Sequence, residues 1–313
     1  MLTSELKRLD YRVIDITPYS TTCRVLALSR FAGVTPRLMD ALLRRFRTLE
    51  DILLAEKAEL AEIEGINKTA IDRIDAAASH LPEAEKIERS MSEREINLMS
   101  RFDDLYPRLL FDLNDPPSML YVRGKLPEAD KRTVALVGTE KASGEGIEMT
   151  SRLAKQFSAQ KIQLVSSMVG GIDSAAHLAA KAAGGASFAV LNAGLDEIAI
   201  TSDMPVAIDI VQNGGVISEY PPENKFLQEN IAQSNRLLVG LSQAVVVTEA
   251  YEDSGRILDL LQFCEDVGKL VFFMIDPEFG AFADELSLKQ ALECGAVPIK
   301  GYDGVQDIIK SLV

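Results

Sequence analysis

The sequence predicts an α/β protein, a doubly wound, mostly parallel sheet preceded by a small all-helical unit. Three observations carry this. From Thr133 onward, short continuous apolar runs alternate with amphipathic stretches of helical length, the pattern of buried parallel strands joined by right-handed crossovers. Residues 1–100 lack β-branched runs and space their apolar residues as helices do. At 313 residues the chain exceeds a usual domain of about 100–150 residues, so two units are expected, over residues 1–100 and 101–313.

In the helical part, "RVLALSRFAGVTPRLMDALLRRF" sets Gly33 in a turn between two amphipathic segments, with Thr35 as N-cap and Pro36 opening the second helix. "ELAEIEGINKTAIDRIDAAA" repeats the arrangement around Gly65. Both resemble a helix-hairpin-helix, whose turn amides receive a nucleic-acid phosphate. A plain αα-hairpin is the competing reading. It is preferred at Gly65, where acids surround the turn. At Gly33 the two readings are evenly matched, because six arginines from Arg24 to Arg47 face Asp40 alone. Gly33, Arg37, Arg44 and Arg45 are therefore candidate DNA contacts.

Residues 101–132 form the connection. Pro107, Pro116 and Pro117 interrupt helices there, and "SMLYVRG" reads as a strand. Strands follow at "TVALVGTE", "IQLVSS", "SFAVLNAG", "GVISEY", "AVVVTEA", "LVFFMID" and "AVPIK". Helices are expected near 144–160, 173–183, 204–213, 228–242, 255–267, 284–294 and 303–312.

The net charge is −14. That disfavours non-specific adhesion to DNA, where phosphate contacts supply most of the affinity, but it permits a focused basic pocket. Cys23, Cys264 and Cys294 are scattered without CxxC spacing, which points to a reducing compartment and a cytoplasmic location. With two histidines, His80 and His177, no metal cluster is expected, and no cofactor. No apolar run approaches the roughly 20 residues of a membrane span.

In an open parallel sheet, ligands bind at the carboxyl ends of the strands. The segments at those ends are "GTEKASGEG", "MVGGIDSAAH", "NAG", Glu219 with Pro221–Pro222, and "EAYEDSGRI". Glycines and hydroxyls gather in them, and backbone amides, hydroxyls and helix N-termini hold an anion without formal charge. Asp173 reads as an N-cap, and His177, one turn on, as a residue packed between helix and sheet. A catalytic Asp–His pair is the weaker reading, because no nucleophile is set by that spacing. GxGxxG and GxxxxGK[ST] are both absent, which argues against a dinucleotide fingerprint and a P-loop.

Taken in order, Tyr106–Pro107, "DPPSMLYVRG", "VALVGTEKAS", "VSSMVGGIDSAAH", "AVLNAGLD", "VISEYPP", "SNRLLVGLS", "VVVTEA" and "GKLVFFMID" resemble the DprA/Smf family of DNA-processing proteins. The resemblance runs over residues 104–276. It implies a Rossmann-like core shared with the SLOG nucleotide-binding group. It also implies a homodimer that binds single-stranded DNA and helps load a RecA-type recombinase during transformation, without catalysis. On that reading Gly138, Thr139, Ser143, Ser166, Gly170, Gly171, Asn235, Arg236, Ser254, Gly255 and Arg256 form the phosphate site. Asp173, His177, Ser218, Glu219 and Glu249 hold loops.

The chain departs from the family pattern in places. Val-Gly-Ser-Arg becomes Val137-Gly138-Thr139-Glu140, which reverses a charge, and Arg-Asn-Arg becomes Ser234-Asn235-Arg236. The alternative function is a SLOG-type sensor that binds a small nucleotide at the same strand ends, with weak or no DNA binding. A nucleotide phosphoribohydrolase ranks below both, since its PGGxGTxxE motif is missing.

Overall fold

The structure, a computed structural model, describes residues 15–200, 204–251, 255–276, 280–281, 283–301 and 304–312. The chain divides into two compact units between Glu93 and Arg94.

In the first unit, α1 (Thr21–Leu26) runs on through a π-helical turn, Ala27–Phe31, to Gly33. Gly33 turns the chain at φ 70°. Thr35 then caps α2 (Pro36–Phe46) by accepting the Leu38 N–H, and Pro36 occupies the first helical position. Next come α3 (Leu49–Leu54) and α4 (Lys57–Leu60), then Gly65 at φ 79°. Asn67 caps α5 (Lys68–Ala76), and α6 (Leu81–Glu93) closes the unit. Each hairpin thus places a left-handed glycine two residues before an N-cap, and that repeat is what the sequence pattern encodes. Leu26, Leu28, Met39, Leu42, Ile52, Leu60, Ile74 and Leu81 are fully buried between the helices.

The second unit is built on one sheet. Its strands are β1 (Asn97–Ser100), β2 (Met119–Gly124), β3 (Thr133–Gly138), β4 (Gln163–Ser167), β5 (Ser187–Val190), β6 (Gly215–Ser218), β7 (Ala244–Glu249), β8 (Leu270–Asp276), β9 (Gly280–Ala281) and β10 (Val297–Lys300). Their order is β1-β2-β6-β5-β4-β3-β7-β8-β10, with β9 beside β8. From β6 to β10 every neighbouring pair on that path is parallel. β1 and β2 run antiparallel at one edge. Residues 97–100, counted with the helical part in the sequence reading, therefore form a sheet strand. The second unit's α-helices among the described residues are α7 (Gly144–Ala159), α8 (Gly171–Ala182), α9 (Met204–Asn213), α10 (Asn230–Gly240), α11 (Gly255–Asp266), α12 (Glu285–Glu293) and α13 (Val305–Ser311).

Both faces of the sheet are covered, as the continuous apolar strands predict. Side chains alternate between faces along each strand. Val134, Leu136 and Val246 pack with Met149, Leu153 and Phe157 of α7 and Ile308 of α13. Ala135, Val137 and Val245 pack on the other side with Leu237 of α10 and Leu260 and Leu261 of α11. β3 lies between β4 and β7, so the order reverses there: β4, β5 and β6 follow on one side and β7 and β8 on the other. That reversal opens a crevice at the carboxyl ends of the strands. Among the described residues no helix is long and apolar enough to cross a membrane.

Candidate functional site

The loops after β3, β4 and β7 are fastened backbone to backbone. The Thr139 N–H donates to Glu249 O at 2.9 Å, and the Ile172 N–H donates to Thr139 O at 3.1 Å. A Cβ on Gly138 would lie 2.6 Å from Ile172 Cγ1 and 2.8 Å from Glu249 O. Gly171 has φ 51°, and a Cβ there would strike the carbonyls of Thr139 and Glu140. Only glycine combines that conformation with that approach. These contacts bring Gly138, Thr139, Gly170 and Gly171 to one place.

Arg256, in the first turn of α11, ties the third loop to the other two. Its guanidinium donates to Ser167 Oγ (2.9 Å), Gly138 O (2.8 Å) and Asp173 Oδ2 (3.1 Å). Asp173 is fully buried, and among the described residues its other carboxylate oxygen, Oδ1, has no hydrogen-bond partner. Asn235 braces Arg256 from α10, its Nδ2 donating to Arg256 O at 3.1 Å. Gly255 is exposed at the start of α11, and Ser254 lies outside the described residues.

Other polar groups at this edge hold the loops themselves. Glu249, buried at the end of β7, accepts from the Ser143 N–H and hydroxyl. Ser143 in turn caps α7 by accepting the Gly146 N–H at 2.9 Å. Ser218 Oγ donates to Ala193 O at 2.7 Å and accepts the Tyr220 N–H. His177 is buried with Nε2 2.9 Å from Ser167 O and Nδ1 2.6 Å from Ser187 Oγ. A carbonyl only accepts, so Nε2 carries the proton and Nδ1 accepts from the serine. Burial pushes the His177 pKa below its ordinary 6.5. With both ring nitrogens engaged and the neutral form favoured, it is a packed structural histidine.

Besides Ser143 and Asn235, which hold loops, two further residues expected at the phosphate site lie inside the protein. Ser166 is fully buried in β4, and its hydroxyl donates to Leu136 O at 2.6 Å inside the sheet. Arg236 lies inside the protein, bonded to Asp115, Glu219 and Gln233. Its side chain is 6% exposed. A guanidinium so enclosed is an internal fastener for α10, residue 115 and the end of β6. Burial raises the Glu219 pKa against the opposing pull of Arg236.

A cavity of about 380 Å³ opens over the strand ends. Gly138, Thr139 and Arg256 line it, as do Glu140 and Lys141 of the β3 loop. Asn192, after β5, and Phe226 and Gln228, on the approach to α10, close its far side. Sequence reasoning did not single out Lys141, Asn192 or Phe226. Lys141 was detectable as a cation in a strand-end loop and Asn192 as a polar residue two positions past the end of β5. Phe226 reaches the cavity only through a long loop that periodicity does not describe.

In the helical unit, Gly33, Arg37, Arg44 and Arg45 are all exposed. The Arg73 guanidinium stands 3.5 Å from where a Cβ on Gly33 would be, so α5 adds a cation to the first turn. Arg45 pairs with Glu62 at 3.1 Å.

Known proteins share these features. The family model described as DNA recombination-mediator protein A matches residues 97–306, and a SAM-like helix-hairpin-helix tandem matches residues 25–78. Protein Smf of Synechocystis sp. is 31% identical over 237 residues, 74% of this chain and 59% of that protein. The DNA processing protein DprA of Bacillus subtilis is 28% identical over 219 residues, 68% of this chain and 73% of that protein. The chain thus spans about three fifths of the length of the Synechocystis relative.

The crystal structure of DNA processing protein A from Streptococcus pneumoniae superposes with a TM-score of 0.74 at 24% identity, covering 94% of this chain and 99% of that one. The Helicobacter pylori protein, whose structure concerns its single-stranded DNA binding mode, gives 0.60 at 22% identity over 70% of this chain and 98% of that one. The three share one fold over the matched parts. With the family model matching more than half of its length, and matching the sheet unit that carries the strand-end cavity, the chain belongs to the DNA recombination-mediator protein A family, the DprA/Smf proteins.

Proposed function

We propose that this protein is a single-stranded DNA-binding member of its family that acts in DNA processing and recombination without catalysing a reaction. The observation that carries this reading is Arg256, a guanidinium fixed where three strand-end loops meet and lining the cavity there. Lys141 stands on the same cavity. A strand's phosphate can approach these two cations while its sugar and base occupy the remaining volume. The single-stranded DNA binding described for the Helicobacter pylori protein supports the choice of ligand.

The absence of catalysis belongs to this proposal; His177, with both ring nitrogens engaged internally, is not free to serve as a base. A homodimer and hand-over to a RecA-type recombinase belong to the same proposal, as does the cytoplasmic location. Family membership favours a strand over a free small nucleotide as the ligand.

The test is titration of a labelled mixed-sequence single strand at two salt concentrations. Each phosphate contact should contribute a slope of about −0.7 in log K against log salt. A salt-independent affinity, or no binding, would overturn the proposal.

A further inference from the structure

Glu140 lines the cavity where the family motif carries an arginine. It is exposed, and among the described residues its carboxylate has neither a hydrogen-bond nor an ion-pair partner. Next to a phosphate it would only repel. A carboxylate accepts and cannot donate, so the only part of a ligand it can bind favourably is one that offers N–H or O–H groups. In a DNA strand that part is the base edge, because phosphate and deoxyribose within a strand offer no donor.

The rest of the cavity suits a base. Phe226, 47% exposed as a residue, lines the cavity, and Val169, Ile231 and Ile257 add apolar lining. The volume, about 380 Å³, lies near the lower end of ligand pockets at about 300–1,000 Å³, which suits one nucleotide better than several. Lys141 and Arg256 answer the phosphate, and Glu140 answers the edge.

The bases differ in what they offer a carboxylate. Guanine presents two adjacent donors, N1–H and the N2 amine, matching the two oxygens. Thymine has one donor flanked by two carbonyls. Cytosine and adenine present an amine beside ring acceptors that would face the carboxylate repulsively. We propose that Glu140 is a specificity-determining residue and that this cavity takes a guanine base, with guanine N1–H and N2–H donating to the Glu140 carboxylate. This rests on the single-strand reading above.

The experiment is fluorescence anisotropy with labelled 15-mers of equal length. One is all dT, one carries scattered dG with no guanine run, and one carries inosine at the same positions. Wild type should bind the guanine strand about fivefold or more tighter than dT, as one bidentate base contact allows. Inosine, which keeps N1–H and lacks the N2 amine, should lose most of that preference. Glu140→Gln should remove it, and Glu140→Arg should tighten the dT strand. Equal wild-type affinities, or a guanine preference that survives Glu140→Gln, would overturn the inference and leave the single-strand reading standing. Failure of wild type to bind any strand would overturn both. A Glu140-dependent preference for a ribo-oligomer of the same sequence would assign the carboxylate to a 2′-hydroxyl instead, and would also overturn it.

Discussion

In the sheet unit, Arg236 and Arg256 each lie against a carboxylate, their side chains 6% and 14% exposed. In the helical unit, Arg37, Arg44 and Arg47 stand exposed, and among the described residues none has an ion-pair partner. The difference lies in where the acids fall. From Arg24 to Arg47 the sequence supplies one acid, whereas the strand ends are bounded by Asp173, Glu219 and Glu249, all largely enclosed. In a chain of net charge −14, a cation is most available to an anion where folding brings no acid to it, and next where, as at Arg256, part of a paired guanidinium still lines a cavity. Arg236 and Arg256 differ as well. Arg236 is enclosed by Asp115, Glu219 and Gln233, while Arg256 keeps one side on the cavity.

The sharpest way to break this comparison is Arg236→Ala. Removing one member of a buried pair leaves its partner desolvated and costs about 3–5 kcal/mol. Burial already raises the Glu219 pKa, so the abandoned carboxylate has little to stabilise it. The urea midpoint should fall accordingly, with the strand affinity of the remaining folded protein within about twofold. An unchanged midpoint with lost affinity would return Arg236 to the ligand surface.

Arg256→Ala should act on both stability and binding: it leaves the fully buried Asp173 carboxylate without its cation, and it removes the guanidinium that lines the cavity. Hydrogen bonds to a charged group contribute about 1.5–3 kcal/mol, so affinity for a single strand should fall roughly ten- to hundredfold. Arg256→Lys keeps the charge and loses the fork that reaches Ser167, Gly138 and Asp173 together, so it should fall in between. If Arg256→Ala and Arg236→Ala weakened binding equally, the division between enclosed and cavity-lining arginines would fail.

His177 extends the comparison to pH. Its folded pKa lies below the ordinary 6.5 because burial disfavours the charged ring. The unfolded chain therefore binds more protons than the folded one as pH drops below about 6.5. Stability should decline in that direction by up to about 1.4 kcal/mol per pH unit. His177→Gln should flatten this slope, as read from urea midpoints at neutral and mildly acidic pH. A slope unchanged in His177→Gln would assign the acid sensitivity to other groups.

How much of this was legible in the sequence depends on the range of the interaction. The parallel strands were, because burial on both faces makes each a continuous apolar run, as in "TVALVG" and "AVVVTE". β1 was not, because "NLMS" is a four-residue edge strand with polar ends. Gly138, Thr139 and Arg256 follow from the rule that ligands bind at strand ends. Arg236 sits in an equally suggestive motif, yet its partner Asp115 is 121 residues away in sequence. No local pattern reports such a pairing, nor does any report that the loop carrying Phe226 folds back over the cavity. Thr35 was within reach because a cap acts three residues ahead.

The smallest effects are expected in the helical unit, and they test the comparison from its other side. Arg37 lies in the first turn of α2, where the helix dipole disfavours a cation, and Arg44 lies two turns on along the same face. With no carboxylate partner among the described residues, Arg37 is available to a backbone phosphate beside the Gly33 turn and Arg44 to one further along the helix, in its last turn. Arg37→Ala and Arg44→Ala should each lower strand affinity a few-fold and reduce the salt slope by about one, with little change in stability. Arg45 is the internal control. Its pair with Glu62 is surface-exposed and contributes about 0–1 kcal/mol, but it keeps an acid beside the cation. Arg45→Ala should therefore change the salt slope less than Arg44→Ala does. Equal slopes for the two variants would mean that the carboxylate partner does not decide which arginines meet the strand.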